Sequence, residues 1–378
     1  MWLPASEALR RLKVKPQTLY ANVSRGRVGA RPDPADPRRS LYSSEDIDRL
    51  ARRSGGRPRT ETVAAEAINW GDPVLSSSIS TIAGSRLYYR GHDAAVLSRT
   101  ATLEEVAALL WGAFPLRPAG GTPPAEAAPL AAAFAALARQ AANCPPSYGR
   151  GATGLQDDAA DVLAGLADAL LGGGNGPLHA RLAERFDRSE AAVDIRRALV
   201  LLADHELNAS TFAARVAVST GAGLAAGALS GLAALTGPLH GSAAAAVRAL
   251  ADDLDADPRG PVEALREWLG EGRSIPGFGH RLYPSGDARA AELLSGLRVP
   301  AAYERLCDAA ETLSGERPNI DFAIAALAAQ HHLPREAPLM TFALSRCVGW
   351  LAHMLEQVEN GALIRPRARY TGPKPSVP

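Results

Sequence analysis

Residues 204–235, DHELNASTFAARVAVSTGAGLAAGALSGLAAL, decide the fold class of most of this chain. Apolar residues recur at helical spacing from residue 210 to residue 235, and the pattern predicts one long helix over that range. No Asp, Glu, Lys or Arg occurs at 216–247. A helix that lacks charge over this length is predicted to lie in the interior of a helical protein.

The same charge-free segment could also suggest a membrane span. Such a span needs about 20 predominantly apolar residues, but this segment consists mostly of Ala, Gly, Ser and Thr and contains Pro238 and His240. Residues that insert strongly into lipid are scarce in it. We therefore expect small residues that let helices approach closely inside a protein core.

Helical periodicity continues through the chain from about residue 62. Thr102-Leu-Glu-Glu105 is a capping box and predicts a helix from 103 to about 112. Runs of β-branched residues with strict alternation, which would indicate strands, are almost absent. Further helices are predicted at 125–142, 157–171, 190–202 and 339–357. The predicted fold class of this body is all-α.

The composition is that of a globular protein, with 47% hydrophobic and 21% charged residues in a chain of 378. These values exclude wholesale disorder, and the length allows two or three domains. The three cysteines, Cys144, Cys307 and Cys347, are widely spaced. They form neither a disulfide framework nor a zinc cluster and suit a reducing compartment. No secretory signal opens the sequence, so we expect a cytoplasmic protein.

Charge is distributed unevenly although the net charge is only +1. Residues 1–60 carry a net charge of +8, and residues 61–378 carry a net charge of −7. Such asymmetry indicates a basic module joined to a neutral or acidic body. The segment SGGRPRT at 54–60 has linker composition. We expect a module at 1–53, a linker at 54–61 and the body at 62–378.

The basic module is predicted to contain three short helices, at 6–12, 16–24 and 46 to about 53. Pro16 fits the first position of the second helix, and Gly26 fits its end. Residues 27–39 are rich in Pro and Arg and are not expected to form a regular element. The patterns ASEALRRLKVKPQTLY, SRGR and RSLYSSEDIDRL resemble the winged helix-turn-helix heads of the MerR and excisionase type.

That resemblance implies a DNA-binding surface on the basic module. Side chains of the second helix would face the major groove, and arginines would contact phosphate. The expected base-facing residues are Gln17, Thr18, Tyr20 and Asn22, and the expected phosphate-facing residues are Arg25, Arg27, Arg38 and Arg39. The alternative is a solvated basic face on a docking module that does not bind DNA.

Three histidines of the body lie in unusual local sequences. His205 lies in ADHELNAST, His240 in the helix-breaking TGPLHGS, and His280 in the glycine-rich PGFGHRLY. Taken singly, each of these histidines is typical of a helix cap or a core residue. Likewise, a single arginine on an apolar helix usually extends its charge to solvent. No two of the three lie at the spacing of metal ligands, so no metal is expected.

Taken together and in order, such segments resemble the citrate synthases, including the 2-methylcitrate synthases. The motifs are LYYRGHD at 87–93, DHELNASTFAARV at 204–216, GPLHG at 237–241, PGFGHRLY at 276–283, DARA at 287–290, PNIDF at 318–322, RCVGWLAH at 346–353 and RPRARYTG at 365–372. The resemblance spans about residues 70–372. It implies large and small helical domains, the small one at approximately 245–335.

The resemblance implies condensation of acetyl-CoA with oxaloacetate and water to citrate and CoA, a reaction of the tricarboxylic acid cycle. His240 and Asp321 would enolise the thioester, and His280 would polarise the keto carbonyl. The implied oxaloacetate ligands are His205, Arg289, Arg346 and Arg365. The residue types suit these roles, because guanidinium groups match carboxylates bidentately and a hydrogen bond to the thioester oxygen stabilises an enol.

The resemblance also implies that acyl-CoA is a cosubstrate and that no cofactor is bound permanently. The implied CoA contacts are Pro276, Gly277, Phe278 and Asn319. In that family the counterpart of Arg365 reaches the partner subunit's site, which implies a homodimer. The enol must be kept from water, so we expect the small domain to close over the large one.

Two departures from the family pattern lie beside His240, where Ser242 and Ala244 replace the more usual Gly and Asn. They leave the acyl donor open, and the alternative is a 2-methylcitrate synthase that uses propionyl-CoA. One methylene contributes only about 1–3 kcal/mol in a pocket. A second alternative is a metabolite-sensing dimer whose basic module binds DNA. Retention of His240, His280 and Asp321 favours an enzyme, because binding alone needs no general base.

Overall fold

The computed structural model describes residues 2–12, 19, 23, 28–33, 36–47, 75–112, 128–238, 240–368 and 370–373. The chain divides into two compact units. One comprises Met1–Leu75 and Pro366–Pro378, and the other comprises Ser76–Arg365. The predicted linker at 54–61 lies outside the described residues.

The described part of the smaller unit is a three-stranded antiparallel sheet with one helix. β1 (Trp2–Pro4) leads directly into α1 (Ala5–Leu12), and β2 (Ala30–Asp33) and β3 (Asp36–Ser43) follow, in the sheet order β1-β3-β2. Residues 44–47 are helical. A small apolar core contains Leu3, Ala8, Leu12, Leu19, Val28, Tyr42 and Ile47.

The prediction for residues 27–39 was wrong, because β2 and the start of β3 lie in this stretch. Proline is tolerated on edge strands, and Pro32 lies on the edge strand β2, where the register shifts. The predicted helix at 6–12 is confirmed. Most of the other two predicted helices lies outside the described residues, so the helix-turn-helix stays a prediction.

The larger unit begins with a small antiparallel sheet that the all-α prediction missed. It contains β4 (Ser80–Ala83), β5 (Arg86–Tyr89) and β6 (His92–Asp93) in that order. The following helices are α2 (Ala94–Leu97), α3 (Leu103–Trp111), α4 (Pro129–Asn143), α5 (Ala152–Leu171), α6 (Leu178–Arg185), α7 (Ala192–Leu202), α8 (Ala209–Ser219), α9 (Leu224–Leu235), α10 (Ala243–Ala256), α11 (Pro261–Gly270), α12 (Ala288–Leu294), α13 (Ala301–Ser314), α14 (Ile320–Gln330) and α15 (Ala337–Asn360). The unit is mostly helical, as predicted.

The predicted helix ends agree with the structure to within a few residues, with one exception. The capping box of Thr102 and Glu105 is formed at the start of α3. The single helix predicted at 210–235 is instead the pair α8 and α9, which are separated at 220–223. Gly221 has a φ of +88° there, a backbone conformation that glycine adopts without steric cost. The chain can therefore reverse within an otherwise helical pattern.

The large unit contains two hydrophobic clusters. The first surrounds α15, which is buried over most of its length, and the second is formed by residues of α10, α11, α13 and α14. Small residues bring helices close together, as at Gly231, where an added Cβ would lie 2.8 Å from the indole ring of Trp350. Helix α14 contributes side chains to both clusters. None of the described helices is both long and apolar enough to cross a membrane.

Candidate active site

His205 lies in the buried turn between α7 and α8. Its Nε2 atom is 2.9 Å from the hydroxyl oxygen of Tyr283. Burial, followed by the charges of Arg289 and Arg346, lowers the pKa of His205 well below its ordinary value. The imidazole is therefore neutral at physiological pH and has one hydrogen-bond donor and one acceptor nitrogen.

The small sheet holds this turn in place. The backbone N–H of Ile82 donates to Glu206 Oε1 over 2.9 Å, and the N–H of Glu206 donates to Ser80 Oγ over 3.1 Å. The Ser80 hydroxyl also donates to the buried carboxylate of Asp204. Glu206 has a φ of +50°, which is uncommon for a residue with a side chain. The contacts with β4 therefore fix a strained turn beside His205.

His240 lies between α9 and α10. Its Nε2 atom is 2.8 Å from Ser210 Oγ, which also accepts the indole N–H of Trp350 over 3.1 Å. Burial, with a smaller contribution from Arg346, lowers the pKa of His240 to about 4. His240 is therefore a second neutral imidazole, and a serine that α8 and α15 position binds one of its nitrogens.

The PGFG turn places His280 opposite the start of α14. The N–H of Asn319 donates to the Gly277 carbonyl over 2.8 Å, and the Asn319 amide donates to the Gly279 carbonyl over 3.0 Å. The N–H of Leu282 donates to His280 Nδ1 over 3.2 Å. Since burial and then Arg289 lower the pKa of His280, the ring is neutral. Its single hydrogen is consequently on Nε2, where it can be donated to a ligand.

Asp321 is the second residue of α14, whose N-cap is Asn319. Its Oδ1 atom is inaccessible and has no hydrogen-bond partner among the described residues. Burial raises the pKa of this carboxyl to about 6, and the nearby Arg289 and Arg346 only partly oppose the rise. An unpartnered carboxylate with a raised pKa is a suitable proton acceptor near neutral pH.

Two buried arginines complete the group. Arg289 binds Asp287 bidentately, with Nε–Oδ1 and Nη2–Oδ2 distances of 3.0 and 2.8 Å. Arg346 donates from Nε to the Leu202 carbonyl over 2.9 Å, and no carboxylate pairs with it among the described residues. Burial lowers the pKa of Arg346 to about 10. A buried cation without an ion-pair partner favours binding of an anion.

Seven residues are predicted to act on the thioester or on oxaloacetate, and six of them are close enough for their charges to shift one another's pKa values. The rings of His205 and His280 lie 5.2 Å apart and nearly perpendicular. Arg346 influences the pKa values of His205, His240 and Asp321. Arg365 is the exception, because it is exposed in the segment after α15.

The predicted CoA contacts lie around the PGFG turn. A cleft of about 560 Å³ beside it is lined by His280, by 283–287 and by 315–319, which includes Asn319. Phe278 is buried against Phe322, with ring centroids 5.2 Å apart, so its side chain belongs to the second cluster. Gly277 is buried and Pro276 is half-buried. These four assignments stay predictions.

Most of the residues predicted to contact DNA are not among the described residues. Gln17, Thr18, Tyr20, Asn22, Arg25 and Arg27 are not among the described residues, and only the backbone of Arg38 and Arg39 on β3 is described. Their roles stay predictions.

Sequence reasoning missed the residues that support the functional groups. Ser210, Tyr283 and Asp287 each contact a predicted site residue, and Trp350 donates to Ser210. All four lie inside the quoted motifs, in NAST, HRLY, DARA and RCVGW. Polar or aromatic residues beside a functional residue were therefore the available signal.

Comparisons with known proteins show which family the chain matches. Residues 126–367 match the family described as "Citrate synthase, C-terminal domain". The chain is 41% identical over 203 residues to the citrate synthase of Haloferax volcanii, with 51% of each chain covered. It is 37% identical over 189 residues to 2-methylcitrate synthase 1 of Corynebacterium glutamicum, with 47% of this chain and 49% of the relative covered. The chain thus spans about half the length of the curated relatives it matches.

A solved structure resembles the chain over a longer range. It is the ternary complex of Thermoplasma acidophilum citrate synthase with carboxymethyl coenzyme A and oxaloacetate. The TM-score is 0.66 and the identity is 29%, with 82% of this chain and 96% of that chain covered. The likeness therefore includes the fold of almost all of that enzyme.

Proposed function

Because the chain belongs to the citrate synthase family, we propose that it condenses acetyl-CoA with oxaloacetate and water to form citrate and CoA. The observation that carries this proposal is the convergence of three neutral imidazoles, two buried arginines and a carboxyl of raised pKa whose Oδ1 has no partner among the described residues. Such a set can bind a dianion, remove a weakly acidic proton and stabilise the resulting enol.

Oxaloacetate binds through Arg289, Arg346 and His205. Nη1 of Arg289 and both Nη atoms of Arg346 have no hydrogen-bond partner among the described residues. These donors suit the two carboxylates, because guanidinium groups pair with carboxylates in a fixed geometry. His280 donates from Nε2 to the keto oxygen, which makes the keto carbon more electrophilic.

Asp321 removes a proton from the thioester methyl group, and His240 donates to the thioester oxygen. The Ser210 hydroxyl has a single hydrogen, which either Asn208 Oδ1, 2.8 Å away, or His240 Nε2 can accept. When Ser210 donates to His240, the histidine keeps its hydrogen on Nδ1 and offers it to the enol oxygen. The enol then attacks the keto carbon, and water hydrolyses the citryl thioester to release CoA.

The experiment that tests the proposal is thiol release from acetyl-CoA and, separately, from propionyl-CoA, each with and without oxaloacetate. Release from acetyl-CoA that depends on oxaloacetate is the expected result. A higher kcat/KM for propionyl-CoA would assign the 2-methylcitrate alternative. Absence of release from both donors, in a folded protein that binds oxaloacetate, would contradict an enzyme and favour the metabolite-sensing regulator.

We also propose a homodimer in which Arg365 completes the partner subunit's oxaloacetate site. Its support is the exposure of Arg365 together with the anchoring of the neighbouring Ile364, whose N–H donates to Ser219 Oγ over 3.2 Å. DNA binding by residues 1–53 is a further proposal, supported by the net charge of +8 over residues 1–60. Sedimentation and salt-dependent DNA binding test the two separately.

A further inference from the structure

Tyr283 is a buried tyrosine, only 2% exposed, in the same turn as His280. Its hydroxyl is paired with His205 Nε2 at 2.9 Å, and its ring centroid lies 4.9 Å from that of His280. The guanidinium carbon of Arg289 lies 5.0 Å from the same ring. One side chain thus contacts three residues of the proposed oxaloacetate site, although the mechanism above gives it no role.

The direction of the Tyr283–His205 hydrogen bond follows from counting donors and acceptors. If His205 donated from Nε2, its Nδ1 lone pair and the Tyr283 hydrogen would both lack partners among the described residues. If Tyr283 donates, both Nε2 and the phenolic hydrogen are satisfied, and an N–H at Nδ1 is the one group of this pair left without a partner among the described residues. The adjacent guanidinium polarises the phenol further toward donation.

We propose that Tyr283 is a positioning residue that fixes His205 as the Nδ1–H tautomer, so that His205 can donate to the oxaloacetate anion. The opposite tautomer would present a lone pair to a carboxylate and repel it. The expected consequence of this tautomer, tighter binding of oxaloacetate, rests on the proposed function. The tautomer itself is a property of the free protein.

The first test is ¹⁵N NMR of the histidine side chains in the full-length protein without substrate, with His205→Gln used to assign the signals. The expected result is protonated Nδ1 and unprotonated Nε2 for His205. A proton on Nε2 would overturn the inference whether or not the protein has activity. The tautomer and the proposed function are therefore tested separately, because only the absence of thiol release by the wild-type protein would contradict the proposed function.

The second test compares Tyr283→Phe with Tyr303→Phe by calorimetric titration with oxaloacetate. Tyr303 is a matched control, because it is equally buried and its hydroxyl has no partner among the described residues. Loss of a hydrogen bond that supports an anion contact should raise the Kd about 10- to 100-fold in Tyr283→Phe. Tyr303→Phe should leave the Kd unchanged. Equal Kd values for the two variants would overturn the inference.

A double-mutant cycle separates an effect through His205 from general disturbance of the site. In a His205→Ala background, Tyr283→Phe should weaken oxaloacetate binding no further, because the residue through which it acts is absent. An undiminished effect of Tyr283→Phe in that background would show that Tyr283 acts by another route and would contradict its assignment as a positioning residue for His205.

Discussion

Replacement of Asp321 by Asn should stabilise the protein while it abolishes turnover. The carboxyl has a pKa of about 6 in the folded protein, against an ordinary value of 3.8, and burial is the main cause. That rise corresponds to an upper limit of about 3 kcal/mol by which folding favours the neutral over the ionised carboxyl. Asn has the shape of the neutral form and no charge, so the variant should recover most of this free energy.

The gain should depend on pH in a defined direction. The folded protein binds the Asp321 proton more tightly than the unfolded chain, so wild-type stability falls as the pH rises from about 3.8 to about 6. Above pH 7 the variant should therefore show the full gain. At pH 4.5 the gain should fall to roughly one third, and below pH 3.8 it should vanish.

Thermal melting at fixed protein concentration measures this difference. A gain of about 3 kcal/mol raises the Tm of a unit this large by about 6 °C. Asp287→Asn is the matched control of opposite sign, because burial opposes ionisation of Asp287 but the paired Arg289 lowers its pKa overall. That variant should lose stability above pH 4. A Tm for Asp321→Asn equal to or below that of wild type at pH 8 would refute the reasoning.

Three other predictions concern the same groups. Because Asp321 must be ionised in the free protein, kcat/KM for acetyl-CoA should rise with pH through about 6, and a kcat/KM independent of pH between 5 and 7.5 would exclude it as the base. Ser210→Ala should lower kcat about 10- to 100-fold, which steady-state kinetics measures. It should also leave the Trp350 N–H unpaired and so lower the free energy of unfolding by about 1–3 kcal/mol, which urea unfolding measures. The variants Arg365→Ala and His240→Ala should each be inactive alone. Activity should reappear when the two are unfolded together and refolded, because a dimer of one subunit of each kind contains one intact site. Heterodimers without activity would contradict the shared site.

Helices could be predicted from sequence because their signals are local. The capping box at Thr102 and the apolar spacing of residues 339–357 each specify a helix without reference to the rest of the chain. The pattern at 210–235 failed because glycine fits helix and turn alike, and only the structure shows that Gly221 has positive φ. The prolines of residues 27–39 argued against a strand, but β2 lies at the edge of the sheet, where proline is tolerated.

The sequence motifs could predict which residues cluster in the candidate site, but not which residues position them. His205, His240, His280 and Asp321 lie in motifs that the sequence displays directly. The bond from Tyr283 to His205 joins residues 78 positions apart. No local pattern specifies such a long-range pair. The same limit applies to the small sheet, whose strand β4 is matched to the turn after α7 by hydrogen bonds across more than 120 residues.

The central claim is that Asp321 enolises an acyl thioester while oxaloacetate is bound by Arg289 and Arg346. The most direct test compares wild type with Asp321→Asn for two quantities, oxaloacetate affinity by calorimetry and oxaloacetate-dependent thiol release from acetyl-CoA. We predict that both proteins bind oxaloacetate and that only wild type releases thiol at a measurable rate. Undiminished release by Asp321→Asn would contradict the account.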